Sequence, residues 1–233
     1  MMNILRTIRK WVTQSKATEL SGIDFNKEEN VLQVKVVFVG NALTGKSNLV
    51  WTLSRKSPWV ETPTPQTMYG SNADVRTPQG VALLSLWDAC VDDGLGGRLK
   101  LLAYTKTGII ALVFSVDDPG SLEDLEERWK EEVEYFCPGI PKVVIGCKSD
   151  LRAKGSACVD TQTGIDVAKR IRARHYIECS AQRYIGIEEL LERVGSMAWE
   201  IYEHSKTKQP PPASPELLVI VPKGYAQSEV PVF

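Results

Sequence analysis

Gly40-Asn41-Ala42-Leu43-Thr44-Gly45-Lys46-Ser47 follows directly on the apolar run Val34 to Val39, and its G-x-x-x-x-G-K-S spacing is that of a phosphate loop. A buried strand ends at Val39, the chain turns on Gly40 and Gly45, and Lys46 to Leu53 opens a helix. The N–H groups at that helix start point at an anion. Gly40, Asn41, Ala42, Leu43, Thr44, Gly45, Lys46, Ser47 and Asn48 are therefore the candidate binding residues. Lys46 is placed to reach the outer phosphates of a triphosphate, and the Ser47 hydroxyl suits Mg²⁺.

Working outward, Val31 to Val39 is hydrophobic nearly throughout, as in a central strand covered on both faces. From Ser54 to Gly80 the chain is rich in Pro, Thr, Ser, Asn and Gly, which reads as a long loop ending in an edge strand near Ala73 to Arg76. Val81 to Trp87 is a second apolar strand, and Asp88 at its tip stands where a strand-end acid holds Mg²⁺. Further strands are expected at Gly108 to Val116, Val143 to Gly146 and His175 to Cys179. Helices are expected from Ser121 to about Phe136, from Thr163 to Arg174 and from Gly186 to Tyr202, the first capped by Ser121-Leu122-Glu123-Asp124. Strands alternating with helices imply an α/β fold, with parallel βαβ units in a doubly wound sheet.

A formal net charge of −1 argues against bulk attraction to nucleic acid, and no nucleic-acid partner is expected. The five cysteines are scattered without C-x-x-C spacing, so neither a disulfide framework nor a zinc site is indicated, and a reducing, cytoplasmic setting is expected. Residues 1–18 place Ile4, Leu5, Ile8, Trp11 and Val12 at helical spacing among Arg6, Arg9 and Lys10. That amphipathic, basic pattern suits a peripheral membrane contact as well as packing on the domain itself. From Gln209 onward the chain is Pro-rich, with one apolar island, Leu217 to Val221, suited to a sheet edge. The expected division is an extension at 1–30, a domain at 31–205 and a tail at 206–233.

Two further segments turn a generic cradle into a base-specific one. Cys147-Lys148-Ser149-Asp150 follows a strand, and a carboxylate there accepts from both N1–H and the 2-amino group of guanine, which adenine does not offer. Glu178-Cys179-Ser180-Ala181 also ends a strand, where a backbone N–H donates to the guanine O6. With these residues in this order, the chain resembles the small GTPases of the Ras superfamily, and the Rho family most closely. The likeness runs from about Val31 to Tyr202, with Leu86-Trp87-Asp88, Val113-Phe114-Ser115, Cys137-Pro138 and Gly146 to Arg152 among the matching segments.

The resemblance implies a P-loop NTPase fold with a six-stranded, mostly parallel sheet and helices on both faces. It implies GTP or GDP with Mg²⁺, and two switch loops that report the γ-phosphate. Carried over by position, Lys46 and Ser47 match the phosphate and magnesium residues, Thr64 the first-switch threonine on Mg²⁺, and Asp88 the acid of the second switch. Lys148 and Asp150 match the base-reading pair, and Ser180 and Ala181 the last base loop. Protein effectors and regulators are expected to use residues 57–76 and 89–104.

The chain also departs from its family's pattern. Val91 replaces the glycine whose N–H contacts the γ-phosphate, and Asp92 stands in place of the water-orienting glutamine. An anion there sits poorly beside a phosphoryl group already negative, unless it serves as general base. The methyl of Ala42 crowds the catalytic glutamine or an incoming arginine finger. The catalytic set by position is thus Lys46, Thr64 and Asp92, with slow hydrolysis expected. Ser57 stands where an aromatic ring usually meets the guanine, with Trp59 close by, and Gln66 replaces an apolar effector-facing residue. The tail has no cysteine for a prenyl anchor. The other reading these departures allow is a pseudo-GTPase scaffold that binds proteins with little or no nucleotide turnover.

Overall fold

The structure is a computed structural model that describes residues 23–26, 30–60, 70–89, 102–154, 157–207 and 217–221, with the backbone alone at 23–26, 154 and 207. Its strands are β1 (Ile23–Asn26), β2 (Val31–Val39), β3 (Gly70–Thr77), β4 (Gly80–Asp88), β5 (Ile109–Ser115), β6 (Lys142–Cys147), β7 (His175–Glu178) and β8 (Leu218–Ile220). They form one sheet in the order β3-β4-β2-β5-β6-β7-β8, with β1 set beside β2 off this path. The strands from β4 to β8 in that order run parallel, while β3 on β4 and β1 on β2 are antiparallel. β2 changes partner along its length: Val31 to Val34 pair with β1, and Val36 to Val39 pair with β5.

The helices are α1 (Lys46–Arg55), α2 (Pro119–Asp124), α3 (Lys130–Phe136), α4 (Thr161–Ile171) and α5 (Ile187–Thr207). A π-turn, Leu125–Trp129, joins α2 to α3 without a break. Alternation along β2 sends side chains to two apolar layers. Leu32, Val34, Val36 and Phe38 meet Leu49 and Leu53 of α1 and Leu190, Val194 and Met197 of α5. Val37 and Val39 share the opposite layer with Leu122, Leu125, Trp129, Ile165 and Ala168. Every residue of β5 is buried, as befits a strand covered on both faces. No helix among the described residues is long and apolar enough to cross a membrane.

Among the described residues the sheet therefore has two strands beyond the six expected. β1 lies in the stretch read as an extension. β8 lies in the stretch read as a tail, at the apolar island picked out for a sheet edge. The cap of α2 also differs from the expected one: Asp118 is the N-cap and accepts from the Ser121 N–H at 3.4 Å, with Pro119 opening the helix. Proline suits the first helical position because its missing N–H has no intrahelical partner there. α4 begins earlier than the apolar spacing indicates, because Asp160 caps it by accepting from Gln162 and Thr163. The amphipathic segment 1–18 lies outside the described residues.

One buried cation ties the sheet to the chain that follows the second-switch region. Lys35 of β2 is 2% exposed; its ammonium donates to Leu102 O at 3.1 Å and Thr105 O at 2.9 Å and lies 4.2 Å from the centre of the Trp87 ring. Burial lowers its pKa from 10.5 to about 8. Between those values the unfolded chain keeps a proton that the folded chain has released, so the Lys35 contribution is full above pH 10.5 and lost as pH falls through 8. Relative to Lys35→Met, the wild type is expected to gain about 5 °C in Tm from pH 7.5 to 10, read from paired melting curves.

Candidate nucleotide site

Each element that the sequence singles out ends at the same edge of the sheet. The phosphate loop leaves β2, Asp88 ends β4, Lys148 and Asp150 follow β6, and Ser180 and Ala181 follow β7. Parallel strands with helical crossovers collect their C-terminal ends at one edge, and ligands of open α/β sheets bind in the crevice there.

The phosphate loop is fixed by backbone geometry that its glycines permit. Gly40 has φ +145°, and a Cβ built there lies 2.0 Å from the Val113 carbonyl oxygen of β5, so the loop leaves the sheet in contact with its neighbouring strand. Gly45 has φ +99° at the start of α1. Leu43, at φ +63°, holds the same left-handed region without glycine's freedom, and its side chain is 91% exposed at the loop's tip. Thr44 is buried and donates to Asn41 O at 2.9 Å. The buried Lys46 ammonium donates to Gly40 O at 2.9 Å and Asn41 O at 2.5 Å, a cation held inside the loop. Ala42 is exposed.

Ser47 and Asp88 meet, the hydroxyl donating to Asp88 Oδ2 at 2.5 Å. Asp88 is 3% exposed. A hydroxyl and a carboxylate side by side at a helix start are hard oxygen donors of the kind Mg²⁺ takes, so this donor set fits that ion. Thr64, the other metal residue drawn by position, lies outside the described residues, as do Gln66, Val91 and Asp92.

The base loops are cross-braced. Asp150 is 5% exposed and accepts from Ser180 Oγ at 2.6 Å, which orients its carboxylate. Ser149 N–H donates to Cys179 O at 3.1 Å, joining the two loops by backbone as well. Lys148 stands at φ +61°, and its ammonium lies 3.4 Å from Asp117 Oδ1. Asp117 also accepts from Ser115 Oγ. Burial works to raise the Asp117 pKa, but the Ser115 hydroxyl and the Lys148 ammonium outweigh it and hold the carboxyl below its ordinary range. Trp59 N–H donates to Ala181 O at 2.9 Å, so the start of the first switch is fastened to the last base loop. Both Ser57 and Trp59 are half-buried there.

Two supports escaped the sequence reading. Asn41 is pinned from the side: its amide donates to Asp124 Oδ2 at 2.5 Å, and its Oδ1 accepts from the Trp129 indole at 2.8 Å. Trp129 closes the π-turn, whose extra residue reorients side chains after the first helical turns. Behind the last base loop, Glu178 is wholly buried. It takes a two-pronged bond from Arg152, at 2.9 and 2.8 Å, and accepts from Thr161 Oγ1 at 3.1 Å and Tyr176 Oη at 2.8 Å. Glu178 was legible as part of a motif; its partners, distant in sequence, were not.

Residues 35–199 match the Ras family. The chain is 34% identical over 188 residues to the GTP-binding protein RHO1 of Candida albicans, covering 76% of this chain and 94% of that protein. It is 35% identical over 173 residues to the GTP-binding protein RHO1 of Saccharomyces cerevisiae, covering 70% of this chain and 82% of that protein. A phosphate loop, a strand-end acid and two braced base loops on a parallel sheet, together with these matches, lead to one assignment: the chain belongs to the Ras family and is a Rho-like small GTPase.

Proposed function

We propose that this protein is a guanine-nucleotide switch that binds GTP or GDP with Mg²⁺ and hydrolyses GTP slowly. The observation that carries the reading is Asp150, buried and held by Ser180 at the edge that also carries the phosphate loop. In this role Asp150 accepts from the guanine N1–H and 2-amino group, and Lys148 covers the base. Lys46 neutralises the outer phosphates, while the N–H groups of residues 42–47 donate to phosphate oxygens. Ser47 and Asp88 are the residues that hold Mg²⁺, which when bound offsets phosphate charge.

Slow turnover rests on what stands around that cradle. Ala42 places a methyl on the exposed side of the loop, where an incoming group must approach. Asp92 brings a negative charge in place of a neutral amide, and Val91 lacks the freedom of glycine. Protein effectors and regulators engage 57–76 and 89–104 in this reading, the protein works in the cytoplasm, and residues 1–18 supply its peripheral membrane contact. Single-turnover hydrolysis of preloaded GTP tests the catalytic part. The double variant Ala42→Gly/Asp92→Gln is expected to hydrolyse at least about tenfold faster than wild type. Equal rates would remove the assignment of slow turnover to these positions. Loss of any melting shift with either nucleotide would replace the switch with a scaffold that binds proteins alone.

A further inference from the structure

The sheet does not end at β7. β8 runs parallel beside it, in the register His175 to Leu218, Tyr176 to Val219 and Ile177 to Ile220, with Leu218 N–H donating to Arg174 O at 3.1 Å. Three residues of the segment pack on the two layers: Ile220 on the α1/α5 side, and Leu217 and Val221 on the other, while Leu218 and Val219 are exposed. Pro215 and Pro222 bracket this island, and proline ends strand pairing because it has no N–H to donate. The docked segment is thus short and self-limited.

Its direction gives it a consequence. α5 carries the chain away from the nucleotide edge, since Glu200 reaches Arg174 ahead of β7 and Trp199 lies against Gly80 at the start of β4. β8 then returns toward that edge, so Ile220 lies beside Ile177, directly ahead of Glu178-Cys179-Ser180-Ala181. β7 has four residues, and the loop after it braces Asp150 and receives Trp59. Without β8, β7 is an edge strand with an unpaired side, and short edge strands open most readily.

We infer that β8 is a retention strand for the nucleotide. Docking of Leu217 to Val221 on the open side of β7 holds the last base loop in its binding geometry, and undocking hastens release of the guanine nucleotide. This inference rests on the proposed guanine-nucleotide reading. It assigns a task to a segment outside the family match at residues 35–199. The occupant of the β7 edge is this chain's own tail, which pairs in register and partly buries Leu217, Ile220 and Val221 there.

The test uses the full chain. Ile220→Pro blocks strand pairing, while Leu217→Asp/Val221→Asp keeps the backbone and removes the apolar packing on the layer opposite α1 and α5. Two quantities are measured: amide exchange at 175–181 without nucleotide, and dissociation of a fluorescent GDP. Both variants are expected to speed exchange and to raise the dissociation rate about five- to tenfold, the scale of losing one or two ladder bonds. A peptide spanning residues 214–222, added in trans at millimolar concentration, is expected to slow release again. If wild type holds GDP and both variants release it at the wild-type rate, the retention role is overturned and the nucleotide reading stands. If wild type holds no guanine nucleotide, both fall together. Should Ile220→Pro melt abnormally, the aspartate pair decides.

Discussion

Asp150→Ala is expected to weaken GDP and GTP binding by about 10²–10⁴-fold. Hydrogen bonds to a charged group are worth about 1.5–3 kcal/mol each, and this carboxylate makes two of them to guanine in the proposed function. The structure adds a reason to expect the full effect. The carboxylate is buried and already oriented by Ser180, so little ordering cost is left for the ligand to meet. Ser180→Ala removes the orienting bond and leaves the acceptor, so its loss is expected to be smaller, about tenfold. Titration of a fluorescent GDP against both variants checks the order. A change below about threefold in Asp150→Ala, with the fold intact, would mean that guanine is read elsewhere.

The second large effect is on stability. Glu178→Ala is expected to cost about 3–5 kcal/mol, which lowers Tm by roughly 10 °C or more in a chain of this size. Removing one member of a buried ion pair strands the other. Arg152 is left with its charge buried, and Thr161 and Tyr176 lose an acceptor. Replacing Arg152 and Glu178 together by apolar residues of similar volume is expected to recover much of the loss, because desolvation of both charges opposes their attraction. Melting curves for the single and double variants close the cycle. Additive losses would show that the pair is not coupled.

How far the sequence led follows from how local each signal is. β2, the phosphate loop and α1 form one contiguous pattern, in which an apolar run, two glycines and Lys-Ser stand in fixed order. Asp88, Asp150 and Ser180 were readable because each follows an apolar strand, and parallel strands deliver such ends to one edge. The Asn41 pin was not readable, since its partners Asp124 and Trp129 are far along the chain and meet it through a π-turn. Leu122, Leu125, Trp129 and Val133 stand at helical spacing and all four are buried in one layer, yet that spacing says nothing of where an indole N–H finds an acceptor. β1 gave no signal distinct from its surroundings. β8 did, as an apolar island between prolines, but its partner strand and direction came only from the fold.

The most direct measurement is the nucleotide carried by freshly purified, full-length protein, released by denaturation and separated by chromatography. A guanine-nucleotide switch with slow hydrolysis is expected to carry close to one equivalent of guanine nucleotide per chain, with a sizeable share as GTP. Protein that is folded, monodisperse and free of guanine nucleotide, and that shows no melting shift with GTP or GDP plus Mg²⁺, would contradict that expectation.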